Sequence, residues 1–160
     1  TGVITAFPMA LFERVLQINL CGAFRCLTRS AAGMALNEPN NDGERGVIIN
    51  AGSVAAVEGQ AGQAAYAASK AGLLGLALPV ARDLAVEGIR INTILPGAFE
   101  TRMLAAASDK VRTALQSAVP FPRRLGRPTE FARLVLELCR NAYLNGAAIR
   151  LDGALRMMPR

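Results

Sequence analysis

Tyr66 and Lys70 stand four residues apart in the string Gln63-Ala-Ala-Tyr-Ala-Ala-Ser-Lys70, and Ser53 lies thirteen residues before the tyrosine. Four residues is a little over one helical turn, so a phenol and an ammonium project from one face of a helix. A positive neighbour favours the ionised form of an acid. A phenol, which ordinarily titrates near ~10, becomes a usable general acid or base once its proton is loosened. A hydroxyl such as that of Ser53, converging on the same point, can hold a carbonyl oxygen beside the phenol. These residue types suit one chemistry: a proton leaves or joins a carbinol oxygen while a hydride moves elsewhere. The pair alone is a weak signal, because Tyr-x-x-x-Lys also arises by chance in helices. Its weight depends on the elements around it.

The spacing of Leu11, Phe12, Val15, Leu16, Ile18 and Leu20 predicts one long helix over about 8–36, with Pro8 suited to its first turn. A loop of turn-forming residues, 37–43, leads to Gly46-Val-Ile-Ile-Asn-Ala-Gly52, a short apolar run of the kind buried on both faces of a parallel sheet. Ser53 follows at its carboxyl end. After a loop at 58–63 comes the helix carrying Tyr66 and Lys70, expected to end near Gly88. Its small residues (Ala67, Ala68, Ala71, Gly72, Gly75) let another backbone approach, and Pro79 should weaken or bend it. Residues 89–95 read as a second strand stopped by Pro96-Gly97, and 98–119 as a loop with one short helix. Pro128 opens a further helix with Phe131, Leu134, Val135 and Leu138 on its apolar face, and 147–151 form a third strand. Helices alternating with short strands imply right-handed crossovers and a parallel sheet. Ligands of such sheets gather beyond the carboxyl ends of the strands, where Ser53 and Pro96-Gly97 fall.

About half the chain is apolar (52% of 160 residues), enough for one substantial core. No apolar run reaches the ~18 residues of a membrane span. The longest, 71–81, is interrupted by Pro79. Three cysteines without Cys-x-x-Cys spacing (Cys21, Cys26, Cys139) and the absence of histidine argue against a zinc site and against Ser-His or Cys-His nucleophiles. They point to a reducing compartment: the cytoplasm, or the mitochondrial matrix in a eukaryote. The net charge of +6 comes from scattered arginines with one cluster at Arg123, Arg124 and Arg127. Without an aromatic-interleaved basic stripe, a nucleic-acid partner is not expected.

Taken in order, several strings resemble the short-chain dehydrogenase/reductase family. Asn19 in Val15-Leu-Gln-Ile-Asn-Leu20 is similar to the family's helix asparagine. Ser53, Tyr66 and Lys70 fall at its Ser, Tyr and Lys spacings, and Pro96-Gly-Ala-Phe-Glu-Thr101 resembles the segment that wraps a nicotinamide. Longer strings, among them Gly62-Gln-Ala-Ala-Tyr66, Leu78-Pro-Val-Ala-Arg-Asp-Leu84 and Ile149-Arg-Leu-Asp-Gly153, resemble the family's 3-hydroxyacyl-CoA dehydrogenase subgroup. The resemblance implies an α/β fold: the carboxyl-terminal part of a Rossmann-type doubly wound parallel sheet, three strands with flanking helices, as one partial domain over 1–160. It implies NAD as cofactor, a 3-hydroxyacyl-CoA or other secondary alcohol or ketone as substrate, no metal, no membrane, and a homotetramer when complete.

The same resemblance implies the roles. Tyr66 is the general base, and Lys70 lowers its proton affinity and holds the nicotinamide ribose. Ser53 orients the substrate oxygen. Asn19 holds a water that links Lys70 to solvent, completing a proton relay. Pro96, Gly97, Phe99 and Thr101 join Tyr66 and Lys70 around the cofactor, while Ser53, Tyr66 and Phe99 meet the substrate. Met103 and Leu104 are further candidates for the substrate pocket, and Arg123, Arg124 and Arg127 for the phosphates of coenzyme A. Two other readings stand beside this one: a 3-oxoacyl carrier-protein reductase, and an inactive fragment that docks onto full-length subunits.

No Gly-x-x-x-Gly-x-Gly turn, the usual cradle of a cofactor pyrophosphate, occurs in the chain. Asn50-Ala-Gly52 imitates a related family string but precedes Ser53 on the wrong strand, and reads as a decoy. With Thr1 at the start, the expectation is that the amino-terminal glycine-rich part is absent. The first strand would then present an unpaired edge, and these residues alone would bind NAD poorly.

Overall fold

The computed structural model describes residues 7–159, the side chain of Met103 excepted. Thr1 and that side chain, both invoked above, lie outside the described residues. The centre of the fold is β2 (Ile89–Pro96), flanked in parallel by β1 (Gly46–Ala51) and β3 (Ala148–Leu151) in the order β1-β2-β3. Ala51 stands opposite Ile94, and Pro96 opposite Leu151. Among the described residues β1 pairs on one side only.

The sequence of β2 explains its central place. Successive side chains of a strand leave opposite faces, and in β2 both faces are buried. On one face Ile91 packs with Leu27 of α2 (Gly22–Met34) and with Val80 and Ala81 of α3 (Ala64–Asp83). On the other, Arg90 and Asn92 reach the carbonyls of Leu138 and Leu144 at the end of α6 (Pro128–Arg140). Helices therefore cover both faces, as in a doubly wound sheet. Each fully buried isoleucine contributes about 1.5–3 kcal/mol of transfer free energy.

The polar face of β2 is fully occupied. The Arg90 guanidinium meets both Glu44 carboxylate oxygens, at 2.7 and 3.1 Å, and donates to the carbonyls of Leu138 (2.9 Å), Leu144 (2.8 Å) and Cys139 (3.3 Å). The carbonyls of Leu138 and Cys139 belong to the last turn of α6, which lacks partners within the helix. The amide of Asn92 donates to Leu144 and accepts the Ala147 N–H (3.0 Å).

Two expectations need correction. The first helix is not uniform: α1 (Met9–Leu16) and α2 are joined by a π-helical turn, Gln17–Cys21. Leu20 of that turn packs against Gly72 of α3, where an added Cβ would come within 2.6 Å of it. The apolar run through 11–20 is too broad to mark where one extra residue enters a turn, so the pattern did not show it. The segment 98–119 holds two short helices rather than one, α4 (Arg102–Ala105) and α5 (Asp109–Ser117). Each is started by a hydroxyl cap, Thr101 Oγ1 accepting from Leu104 N–H (3.2 Å) and Ser108 Oγ from Val111 N–H (3.4 Å).

α3 runs for 20 residues through Pro79 without a break. By length and apolarity alone it would cross a membrane. In the fold, however, Leu73, Ala77, Val80 and Ala81 are buried, and Thr93 Oγ1 of β2 donates to its Leu73 carbonyl (3.4 Å).

Candidate active site

β1 and β2 end side by side, and that sets the position of Ser53. The Gly52 N–H donates to the Ile94 carbonyl (2.8 Å). A Cβ at Gly52 would lie 2.7 Å from Leu95 Cδ2 and 2.9 Å from the Ile94 oxygen, so only glycine permits this approach. Ser53 then caps a single 3-10 turn (Val54–Ala56), its Oγ accepting the Ala55 N–H at 3.1 Å. A hydroxyl used as acceptor keeps its own proton to donate.

α3 brings the phenol and ammonium to the same region. Tyr66 sits in its first turn and is 39% exposed. Lys70 Nζ lies 5.8 Å from the centroid of the Tyr66 ring, within cation–π range, and donates to the Ala51 carbonyl at the tip of β1 (2.9 Å). Burial pushes the Lys70 pKa below the ordinary lysine range. Asn19 lies in the π-turn, and its Nδ2 donates to Ser69 Oγ (3.2 Å), which donates to the Tyr66 carbonyl (2.7 Å). The asparagine side chain thus braces the turn between tyrosine and lysine, rather than meeting Lys70.

Beyond the strand tips opens a cleft of about 710 Å3. Ser53, Gln63, Tyr66, Pro96, Gly97, Phe99 and Thr101 are among the residues that line it. Leu104 and Leu115 from α4 and α5, with Phe131 of α6, add apolar surface. Seven of the expected residues, Leu104 included, therefore share one cleft, while Asn19 and Lys70 stand outside its lining. The Thr101 hydroxyl is already engaged as the α4 cap. The Phe99 ring stands edge-on to Phe131, centroids 6.2 Å apart, over Gly126, where an added Cβ would come within 2.6 Å of it.

Arg124 is not free for a phosphate. Its guanidinium holds Glu130 through contacts of 2.7 and 2.9 Å and donates to the Leu125 carbonyl (3.0 Å). Arg124, helped by the Arg127 backbone N–H (2.7 Å), keeps the Glu130 carboxyl down to about 2. That ion pair secures the amino end of α6; the side chains of Arg123 and Arg127 are exposed. Asn50, in the decoy string, is a buried β1 residue whose Nδ2 has no hydrogen-bond partner among the described residues.

Several cleft residues had no functional reading in the sequence, among them Gln63, Leu115, Phe131 and Met157. Phe131 was legible as part of an apolar helix face, though not as cleft lining. Met157 had no signal at all, since it arrives from the far end of the chain.

Comparison with known proteins points to one family. The family model described as enoyl-(acyl carrier protein) reductase matches residues 1–155. The 3-hydroxyacyl-CoA dehydrogenase type-2 of Drosophila melanogaster is 59% identical over 148 residues, 92% of this chain and 58% of that protein. The crystal structure of 3-hydroxyacyl-CoA dehydrogenase type-2 from Mycobacterium avium superposes with a TM-score of 0.94 at 41% identity, covering 98% of this chain and 60% of the other. A 3-oxoacyl-[acyl-carrier-protein] reductase of Vibrio cholerae is 38% identical over 146 residues, 90% of this chain and 57% of that protein. The chain spans somewhat over half the length of the curated relatives it matches.

Proposed function

The chain belongs to the short-chain dehydrogenase/reductase family, and from that premise we propose that it performs the proton transfer of an NAD-linked oxidation of a secondary alcohol, a 3-hydroxyacyl-CoA. The reading is carried by one observation: Ser53 and Tyr66 line the same largely apolar cleft, with Lys70 Nζ 5.8 Å from the phenol ring.

Tyr66 takes the proton of the substrate hydroxyl and returns it in the reverse direction. Ser53 donates its remaining proton to the same oxygen, holding it in line and stabilising the charge that develops there. Lys70 sets a positive charge beside the phenol as that oxygen gains negative charge. An ammonium has three donors, and Lys70 spends one on Ala51, so two remain for ribose hydroxyls. Asn19 keeps the turn between Tyr66 and Lys70 in register through Ser69, and holds the water that relays the lysine proton to solvent. The cleft suits the nicotinamide end of a dinucleotide: it is roomy and mainly apolar, with a few convergent polar groups. Tyr66, Lys70, Pro96, Gly97, Phe99 and Thr101 are the residues that would hold it. When bound, the dinucleotide supplies the hydride acceptor; NAD is the form proposed because the reaction runs as an oxidation.

The test is formation of reduced NAD from 3-hydroxybutyryl-CoA by the full chain and by its Tyr66→Phe variant. Turnover in the first and its loss in the second are expected, and near-equal rates would sink the assignment. The similarity to the Vibrio reductase favours a second reading, reduction of a 3-oxoacyl carrier-protein thioester. Faster turnover of that thioester with NADPH would favour it. We also propose association into homo-oligomers through exposed apolar residues such as Leu11 and Ile18 of the first helices and Leu136 of α6. Light scattering checks this; a monomer at all concentrations would refute it.

A further inference from the structure

Residues 155–159 are tied into the cleft by a charge network that the catalytic reading does not use. Leu155 is 1% exposed and anchors the segment. Arg150, in β3, meets Asp152 at 2.6 Å and Glu58 at 2.9 Å, and donates to the Leu155 carbonyl (3.1 Å). Arg156 reaches the same two carboxylates, Asp152 at 3.2 Å and Glu58 at 3.3 Å. The other oxygen of Glu58 accepts the Met157 N–H at 3.2 Å. Two more bonds continue the seam: Gln60 Nε2 donates to the Met158 carbonyl (2.8 Å), and Ala61 N–H to the Pro159 carbonyl (3.0 Å). Two carboxylates are thus matched by two guanidiniums, and the segment lies along the loop that leads into α3 and Tyr66. The result is that Met157 lines the cleft, held against the loop of Glu58 and Gln60.

We propose that segment 155–159 is a strap forming the substrate-side wall of the cleft, in which Met157 meets the acyl portion of the thioester and Glu58 is the positioning residue that seats it. Residues 96–101 carry most of the groups assigned to the cofactor, whereas Met157 is held against the loop that leads to Tyr66, which meets the substrate oxygen. A methionine suits that place, because its unbranched, polarisable chain adapts to an apolar ligand of variable shape. An isolated surface ion pair would hold a segment only weakly. Here several charges share partners, and Glu58 adds a backbone contact. The strap stands on the geometry alone; the identity of its ligand rests on the proposed function.

The strap is tested by hydrogen exchange at the amides of Met157 and Ala61 in the full chain and in Glu58→Ala. Exchange at least about tenfold faster in the variant, with β2 unchanged, is expected for a locally released segment. Unchanged exchange at both amides overturns the strap. The wall is tested by kinetics with 3-hydroxybutyryl-CoA. Met157→Ala should raise KM about tenfold while kcat stays within about twofold, the pattern of lost uniform binding, and Met157→Leu should restore it. An unchanged KM, or kcat falling in step, overturns the role of Met157. If the unmutated chain shows no turnover, the proposed function fails, and calorimetric binding of the same thioester decides the wall. Equal Kd for the unmutated chain and Met157→Ala, or binding by neither, then overturns it.

Discussion

The two ends of β2 are built on opposite plans. At the amino end, Arg90 is 6% exposed and its guanidinium is shared between Glu44 and three carbonyls near the end of α6. The polar side chains there are spent on the protein itself. At the carboxyl end, the chain reserves capacity: Ser53 accepts one backbone hydrogen bond and keeps its proton, and the Tyr66 hydroxyl has no partner among the described residues. A strand that is nearly uniform in burial along its length thus joins a closed clamp to an open site. Satisfied polar groups hold helices in place, while unspent donors are what a substrate oxygen can use.

The largest test of this contrast is Tyr66→Phe, which should lower kcat by about 10²–10⁴-fold, the usual weight of a general acid or base, with an unchanged urea midpoint. A matching loss of stability would show that the phenol belongs to the frame after all. Arg90→Ala should do the reverse. It leaves the half-buried Glu44 without its cation and three carbonyls without their donor, and should cost about 3–5 kcal/mol by urea unfolding, while turnover per folded molecule holds. Gly52→Ala falls between the two ends. Its Cβ has no room beside Leu95, and overpacking should cost about 1–3 kcal/mol while displacing Ser53, so stability and kcat fall together.

The smallest effect belongs to the ion pair at the start of α6. Glu130 has its carboxyl held from an ordinary 4.5 down to about 2, chiefly by Arg124. A depressed carboxyl contributes stability that is complete above its unfolded value and is lost as pH falls through its folded one. The urea midpoint of Glu130→Gln should therefore lie slightly below that of the unmutated chain above about pH 4.5. The gap should close as pH falls toward about 2. A gap that stays constant over that range would assign the pair no electrostatic role.

Much of the frame could be read in advance. Short apolar runs at 46–52 and 89–95 are long enough for strands and too short for helices, and both are strands. The turn formers Pro96-Gly97 and Gly88 stand at the ends of elements, where their backbone preferences allow little else. The family membership expected from ordered strings around Asn19, Ser53, Tyr66 and Lys70 agrees with the comparisons. What escaped were features with no local pattern. In the π-turn around Asn19, Leu20 lies against Gly72 of another helix, a contact no local pattern announces. Arg124 looked free, as its neighbours Arg123 and Arg127 did, until α6 brought Glu130 to it.

The residues by themselves determined the chemistry that can occur: a phenol and an ammonium one turn apart, and a hydroxyl after a buried strand. Those follow from local periodicity and from backbone sterics, which act over a few positions. Only the tertiary structure decided which groups remain available. Asn19 is bonded to Ser69, Lys70 has one donor committed to Ala51, Arg124 is neutralised, and Met157 is drawn in by Glu58. Each of these depends on which partner satisfies a polar group first, and that is fixed by segments far apart in the chain.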